Sequence, residues 1–146
     1  MHVREATPAD VEALASLSGQ LGYPADAPTI MCRLAQVDRG VVLVALDGEG
    51  AVCAVAHAEP RRLLIAEPFV ELAALVVDEA ARGSGAGAML LAAVEAWARE
   101  QGFASVRVRS NVLRERAHRF YLREGYIEKK RQAVFLKRLQ STGART

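Results

Sequence analysis

Apolar residues in this chain recur with two periods, and the points where the period changes mark out its elements. Val11, Leu14, Leu17 and Leu21 return every three or four positions, the spacing of one helix face. Thr7-Pro8-Ala9-Asp10 just before them has the residues of a helix start, with Thr7 as N-cap, Pro8 at the first helical position and Asp10 as the acid that reaches back. Val3 to Ala6 reads as a strand ahead of that helix. Gly22-Tyr23-Pro24 interrupts the period, and Ile30, Leu34 and Val37 mark a second helix. Two strands follow, Val41 to Leu46 and Ala51 to His57, joined across Asp47-Gly48-Glu49-Gly50, a strong hairpin turn. Pro60-Arg61-Arg62 predicts the next turn. Leu63-Leu64-Ile65 ends one strand or opens another, and Phe69 to Val77 is the central strand. From Ala86 the helical period returns at Leu90, Ala93, Val94 and Trp97, with Gly102 where a C-terminal cap is wanted. Val106 and Val108 alternate with Arg107 and Arg109 as a half-buried strand. A helix is expected from about Leu113 to Glu124, ended by Gly125, and Tyr126 to Leu139 reads as a closing hairpin.

This α/β plan shows no internal repeat, no low-complexity segment and no linker, so 146 residues predict one domain over residues 1–140 with a frayed tail at 141–146. A hydrophobic content of 51% supplies its core. The formal net charge of +2 offers no electrostatic footprint for nucleic acid or an anionic membrane. Arg107, Arg109, Arg114, Arg116, Arg119 and Arg123 are interleaved with Glu115 and Glu124, which reads as a solvated face with some attraction for a phosphate. Met1-His2-Val3-Arg4-Glu5 has no apolar signal core and no apolar run spans a bilayer, so a cytoplasmic protein is expected. Cys32 and Cys53 are too few and too far apart for a metal or redox motif and read as free packing residues; no metal is expected.

The chemistry begins where the central strand breaks into Asp78-Glu79-Ala80-Ala81-Arg82-Gly83-Ser84-Gly85-Ala86-Gly87. Glycines let the backbone turn sharply and approach a ligand, and the first N–H groups of the following helix lack internal partners. Together they form a cradle for phosphate. Ala88 and Met89 stand where a P-loop needs Lys and then Ser or Thr, so that motif fails. Gly83, Gly85 and Ala88 satisfy the dinucleotide fingerprint, with Arg109-Ser110 available for a 2′-phosphate, but too few strand-helix pairs follow for a dinucleotide domain. A third pattern, Arg-x-x-Gly-x-Gly, is met at Arg82, Gly85 and Gly87. A second block follows at Ser110-Asn111, Ala117, Phe120-Tyr121 and Gly125-Tyr126. In these two blocks, in this order and spacing, the chain resembles the GCN5-related N-acetyltransferase (GNAT) family over essentially its whole length.

The resemblance implies a single-domain GNAT fold: a mixed central sheet of about seven strands with about four helices on both faces. The strand before the glycine loop splays from the strand after the helix, and the pantetheine arm of acetyl-coenzyme A enters between them. Leu75, Val76 and Val77 would pair their backbone with pantetheine and thioester, and the amides of Arg82, Gly83, Ser84, Gly85, Ala86, Gly87 and Ala88 would hold the pyrophosphate. Asn111 would cap the next helix or touch the pantetheine, and Ala117 would leave room for the cofactor. Tyr121 matches the position of the acid that protonates the leaving sulfur; the alternative is a core aromatic.

Residue chemistry adds to this. Arg82 runs against the helix dipole unless an anion compensates it. An alkyl amine with a pKa near ~10 needs a base. Glu71, in an otherwise apolar strand and alternating with Ala73 and Leu75, is the candidate, directly or through water; a structural ion pair is the alternative. His57 and His118 are weaker candidates. The expected activity is acetyl-coenzyme A-dependent N-acetylation of a primary amine on a small cationic molecule or peptide, favoured by Glu12, Asp26, Glu67 and Glu71, by direct transfer in a ternary complex. Leu21-Gly22-Tyr23-Pro24 would wall the acceptor pocket. Rival readings are a non-catalytic acyl-coenzyme A sensor and an NADP-binding oxidoreductase. The edge at Gln132 to Leu139 leads to the expectation of a homodimer.

Overall fold

The computed structural model describes residues 1–109 and 114–140. Met1–Arg109 and Ser110–Thr146 form two compact units. The first holds a five-stranded sheet in the order β1 (His2–Glu5), β2 (Val41–Leu46), β3 (Val52–Arg61), β4 (Phe69–Val77), β5 (Val106–Val108). The first four strands run antiparallel to their neighbours and β5 runs parallel to β4. Its helices are α1 (Val11–Leu21), α2 (Ala27–Gln36) and α3 (Ala86–Glu100).

The helix start at Thr7 forms as a 3-10 turn, Pro8–Asp10, leading into α1. The Thr7 N–H donates to the Asp10 carboxylate at 2.8 Å, and the Asp10 N–H donates to the Thr7 carbonyl rather than to its hydroxyl. Both guanidinium arms of Arg4 donate to Asp10, at 2.8 and 3.0 Å, holding this buried carboxyl below the usual carboxylate range. Gly22, at φ 101°, ends α1 in the left-handed conformation that glycine alone adopts without strain. Asp26 caps α2, accepting from the Thr29 N–H at 2.9 Å.

Strand alternation then decides what each sheet face meets. Val44 of β2, Val55 of β3 and Leu46 pack against Leu14 of α1 and Ile30 and Leu34 of α2. The alternate positions Ala45, Ala54, Ala56 and Ala58 are fully buried on the other face, where α3 lies against β2, β3 and β4 and buries Leu90, Leu91 and Val94. Alanines under α3 let the helix approach the sheet closely. The β2–β3 hairpin closes as expected: the Asp47 carboxylate accepts from the N–H groups of Glu49 and Ala51 at 2.8 and 3.0 Å.

Three expectations are corrected. Pro60 and Arg61 lie inside β3, and the turn comes later, with Leu64 and Ile65 at its exposed tip. Beyond Ala58, β3 has no β2 partner, so a residue lacking an N–H is tolerated on that edge. Along β4, Leu72 pairs with Ala58 and Ala74 with His57, leaving Ala73 as a bulge. That extra residue reverses the alternation, so Glu71 and Leu75 fall on opposite faces rather than sharing one. The closing hairpin expected at Tyr126 to Leu139 is absent: residues 126–140 carry no strand, and the sheet has five strands among the described residues. Alternation there is real, but a strand exists only when its backbone is paired, and a lone hairpin is marginal in water.

In the second unit α4 (Glu115–Arg123) ends in a Schellman turn: the Gly125 N–H donates to Leu122 and the Tyr126 N–H to Tyr121, with Gly125 at φ 93°. The start expected at Leu113, the position Asn111 and the tail 141–146 lie outside the described residues. Among the described residues no helix is long and apolar enough to cross a membrane.

Candidate active site

The end of β4 and the start of α3 build a concave backbone surface. Asp78 leaves β4 with its N–H bound to the Cys53 carbonyl and opens a 3-10 turn, Glu79–Ala81. Gln20, at the end of α1, holds this turn from both sides: its amide accepts from the Glu79 N–H at 3.0 Å and donates to Asp78 at 3.3 Å. Gly83 and Gly85 then take φ of 81° and 91°, a conformation closed to most side chains. A Cβ added at either would meet nothing within 4 Å, so the space in front of them is open. Gly85 caps α3, and Ala86 is buried at the helix start.

Among the described residues the N–H groups of Gly83, Gly85, Gly87 and Ala88 meet no protein acceptor. The Ser84 hydroxyl accepts from the Ala86 N–H at 3.3 Å, beside the Gly85 cap. Arg82 is exposed, and its guanidinium meets no partner among the described residues. Unsatisfied amides at the positive end of a helix beside a free guanidinium suit a multiply charged anion such as a pyrophosphate.

Pairing of β4 with β5 covers only Val70 to Leu72. From Ala73 to Val77, β4 is bonded to β3 on one side and has no strand on the other among the described residues. Leu75, Val76 and Val77 lie on this open stretch, and Ala73 at its mouth is exposed. The free row of main-chain donors and acceptors can take an extended, amide-bearing chain as a further strand would be taken.

Glu71 sits just before that stretch, about one-fifth exposed, with Arg61 Nε at 4.0 Å and Arg109 Nε at 3.9 Å. Across the β3–β4 ladder it faces Glu59, which is bound to His57 Nε2 at 2.6 Å. Gly40 permits this: a Cβ there would collide with Glu59 and the Ala58 carbonyl. These contacts are those of the ion-pair alternative for Glu71. Sequence reasoning missed its arginine partners and the Gln20 clamp. The adjacent Arg61-Arg62 was the only hint, and nothing local marks a contact across 58 residues.

In the second unit, Tyr121 is half-buried, edge-on to Phe120 at 5.2 Å and to Tyr126 at 5.8 Å between ring centroids. Burial pushes its hydroxyl up to about 12. Ala117 lies one helical turn earlier, half-buried. The Leu21–Pro24 segment is largely exposed at Tyr23, and Asp26 spends its carboxylate on the α2 cap. Among the described residues no group of His, Cys, Asp and Glu is placed to hold a metal.

With this geometry in hand, known proteins sharpen the picture. A model of the acetyltransferase (GNAT) family matches residues 10–126. The chain is 32% identical over 138 residues, 91% of its length and 90% of the relative's, to aminoglycoside N(6′)-acetyltransferase type 1 of Stenotrophomonas maltophilia. Among solved structures, aminoglycoside 6′-N-acetyltransferase AAC(6′)-Ih of Acinetobacter baumannii superposes with a TM-score of 0.82 at 18% identity, covering 95% of this chain and 99% of that one. Aminoglycoside N-acetyltransferase AAC(6′)-Iy, solved in complex with CoA, gives 0.79 at 20% identity, covering 94% of this chain and 100% of that one.

Proposed function

The chain belongs to the acetyltransferase (GNAT) family and is an N-acetyltransferase, and from that premise we propose that it transfers the acetyl group of acetyl-coenzyme A directly to a primary amine on a small molecule or peptide. The observation that carries this reading is the half-strand Ala73–Val77, open on one side and running into a cradle of unpaired amides beside Arg82. A pyrophosphate fits the cradle, and an amide-containing pantetheine fits the strand. Leu75, Val76 and Val77 hold that arm by their backbone, and the family pattern assigns Asn111 and Ala117 to the same cofactor.

Bound acetyl-coenzyme A supplies an acetyl thioester. In the transfer a C–N bond forms, the C–S bond breaks, the amine loses a proton and the sulfur gains one. Glu71 receives the ammonium and accepts its proton, directly or through water, on the strand just beyond the thioester. Tyr121, with its hydroxyl raised to about 12, keeps its proton throughout the neutral range and presents an O–H to the developing thiolate. Direct transfer is favoured over an acyl-enzyme because neither Cys32 nor Cys53 has an activating histidine partner among the described residues, and burial pushes the Cys53 thiol up. The protein is taken to work in the cytoplasm. Ile127, Val134, Phe135 and Leu136, all more than four-fifths exposed, supply the apolar surface for a homodimer.

Thermal unfolding with acetyl-coenzyme A, free coenzyme A and NADPH in turn tests the cofactor. At a hundred times its dissociation constant a ligand adds about 2.7 kcal/mol, a rise of roughly 5 to 10 °C for a domain of this size. A rise with acetyl-coenzyme A and none with NADPH is expected; a rise with NADPH alone overturns the reading.

A further inference from the structure

Beyond Glu71, away from the cradle, the molecule is rich in arginine. β4 sets the parts in order: the cradle after Val77, the open half-strand, Glu71, and then Phe69, which pairs with Arg61 of β3. At that end Arg39, Pro60, Arg61, Arg62 and Leu63 line a cavity of about 280 Å³ with no carboxylate in its wall. Two further arginines lie alongside. Arg109 reaches Glu71, and Arg107 stacks on the buried Phe69 ring, 4.1 Å from its centroid.

Their donors are poorly used. Arg61 and Arg109 stand 4.0 and 3.9 Å from Glu71, beyond the 2.7–3.2 Å of a hydrogen bond, so neither fork is engaged. Arg62 lies over the Phe103 ring at 5.0 Å, a stacking that leaves the guanidinium edge free. Arg39 meets no acid among the described residues. Glu59, opposite Glu71 on the ladder, is already taken by His57. Arg61 and Arg109 therefore share the Glu71 carboxylate while Arg39, Arg62 and Arg107 bring further positive charge to this end of the strand, an arrangement that repels a polycation and favours an anion.

We propose that the acceptor carries, beside its amine, an anionic group (carboxylate, phosphate or phosphonate) held by Arg39, Arg61 and Arg62. This rests on the acetyl-transfer reading above and narrows its acceptor. The ammonium meets Glu71 and the anion meets the arginine forks. Arg61 pairs with Phe69, two residues along the strand from Glu71, and its guanidinium stands 4.0 Å from Glu71, so the two subsites adjoin. A planar or tetrahedral oxyanion receives paired N–H donors from such forks.

The test compares four amines of equal chain length as acceptors: an ω-aminoalkyl carboxylate, the corresponding phosphonate, the plain alkylamine and the diamine. At least one anion-bearing amine is expected to exceed the alkylamine in kcat/KM by about tenfold to a hundredfold, through KM, with the diamine the poorest. The variant Arg39→Gln/Arg62→Gln should reduce that ratio by a similar factor, and Arg39→Lys/Arg62→Lys should restore part of it. A diamine preferred by the wild type, or a ratio unmoved in the Gln variant, overturns the proposal. Binding without turnover provides a separate readout. The aminoalkyl phosphonate alone should raise the melting temperature of the wild type and not of the Gln variant; no rise in either, or an equal rise in both, also overturns it. If the phosphonate protects but no amine is acetylated, the acetyl-transfer reading fails while the anion subsite stands.

Discussion

β4 is one strand with two lives. From Val70 to Leu72 it is an interior strand, bonded to β3 on one side and β5 on the other, with Val70 and Leu72 buried. From Ala73 to Val77 it keeps β3 but has no β5 partner among the described residues. Apart from Glu71 both halves are apolar, so hydrophobic pattern does not separate them; pairing does. Main-chain groups left unpaired inside a fold need water or a ligand. The closed half is thus scaffold that carries Glu71, and the open half, together with the cradle that follows it, offers main-chain groups for binding. The Ala73 bulge marks the boundary, as bulges next to functional sites often do.

Substitutions can break this contrast. The largest expected effect lies in the closed half: Leu72→Ala should cost about 2–5 kcal/mol of stability, visible as a fall in melting temperature, while the folded fraction binds acetyl-coenzyme A with unchanged affinity. Lost affinity at unchanged stability would mean that the halves are not divided as argued. Tyr121→Phe comes next. It should lower kcat about a hundredfold and leave cofactor affinity nearly intact, because the hydroxyl is needed only when sulfur gains charge; a variant of unaltered rate would remove Tyr121 from the mechanism.

Gly85→Ala sharpens the contrast within the open region. The added Cβ meets no protein atom, so the change acts through the φ of 91° and through the space meant for phosphate. Strain of about 1–2 kcal/mol and at least a tenfold weaker binding of acetyl-coenzyme A are expected; unaltered affinity in titration calorimetry would refute the placement of the cradle.

The smallest effect is alkaline. The Tyr121 hydroxyl titrates at about 12 when folded and near ~10 when unfolded, so the folded state holds the proton longer. That contribution is complete below pH ~10 and is lost as pH rises towards 12, amounting to about 1 kcal/mol by pH 11. Urea unfolding between pH 9 and 11.5 should show this slope in the wild type and not in Tyr121→Phe; equal slopes would place the titration elsewhere.

Several of these features can be read from residues alone, and the reason is local. Gly83 and Gly85 announce a backbone that other residues avoid; Thr7-Pro8-Ala9-Asp10 and Asp47-Gly48-Glu49-Gly50 carry their own hydrogen-bond partners within a few positions. Long-range choices escape this logic. Pro60-Arg61-Arg62 looks like a turn because proline favours turns, yet the free edge of β3 accepts it. Val134 and Leu136 have strand alternation, but residues 126–140 form no ladder to use it.

By itself, then, the sequence determined the order of strands and helices as far as α4, the glycine cradle with Arg82, and the family to which the chain belongs, because backbone preference and motif spacing are written into neighbouring residues. Tertiary structure alone decided that β5 stops at Leu72, that a bulge at Ala73 sets Glu71 and Leu75 on opposite faces, that Gln20 clamps the loop from α1, and that arginines surround Glu71. Each of these depends on which segment pairs with which, and on where that pairing ends.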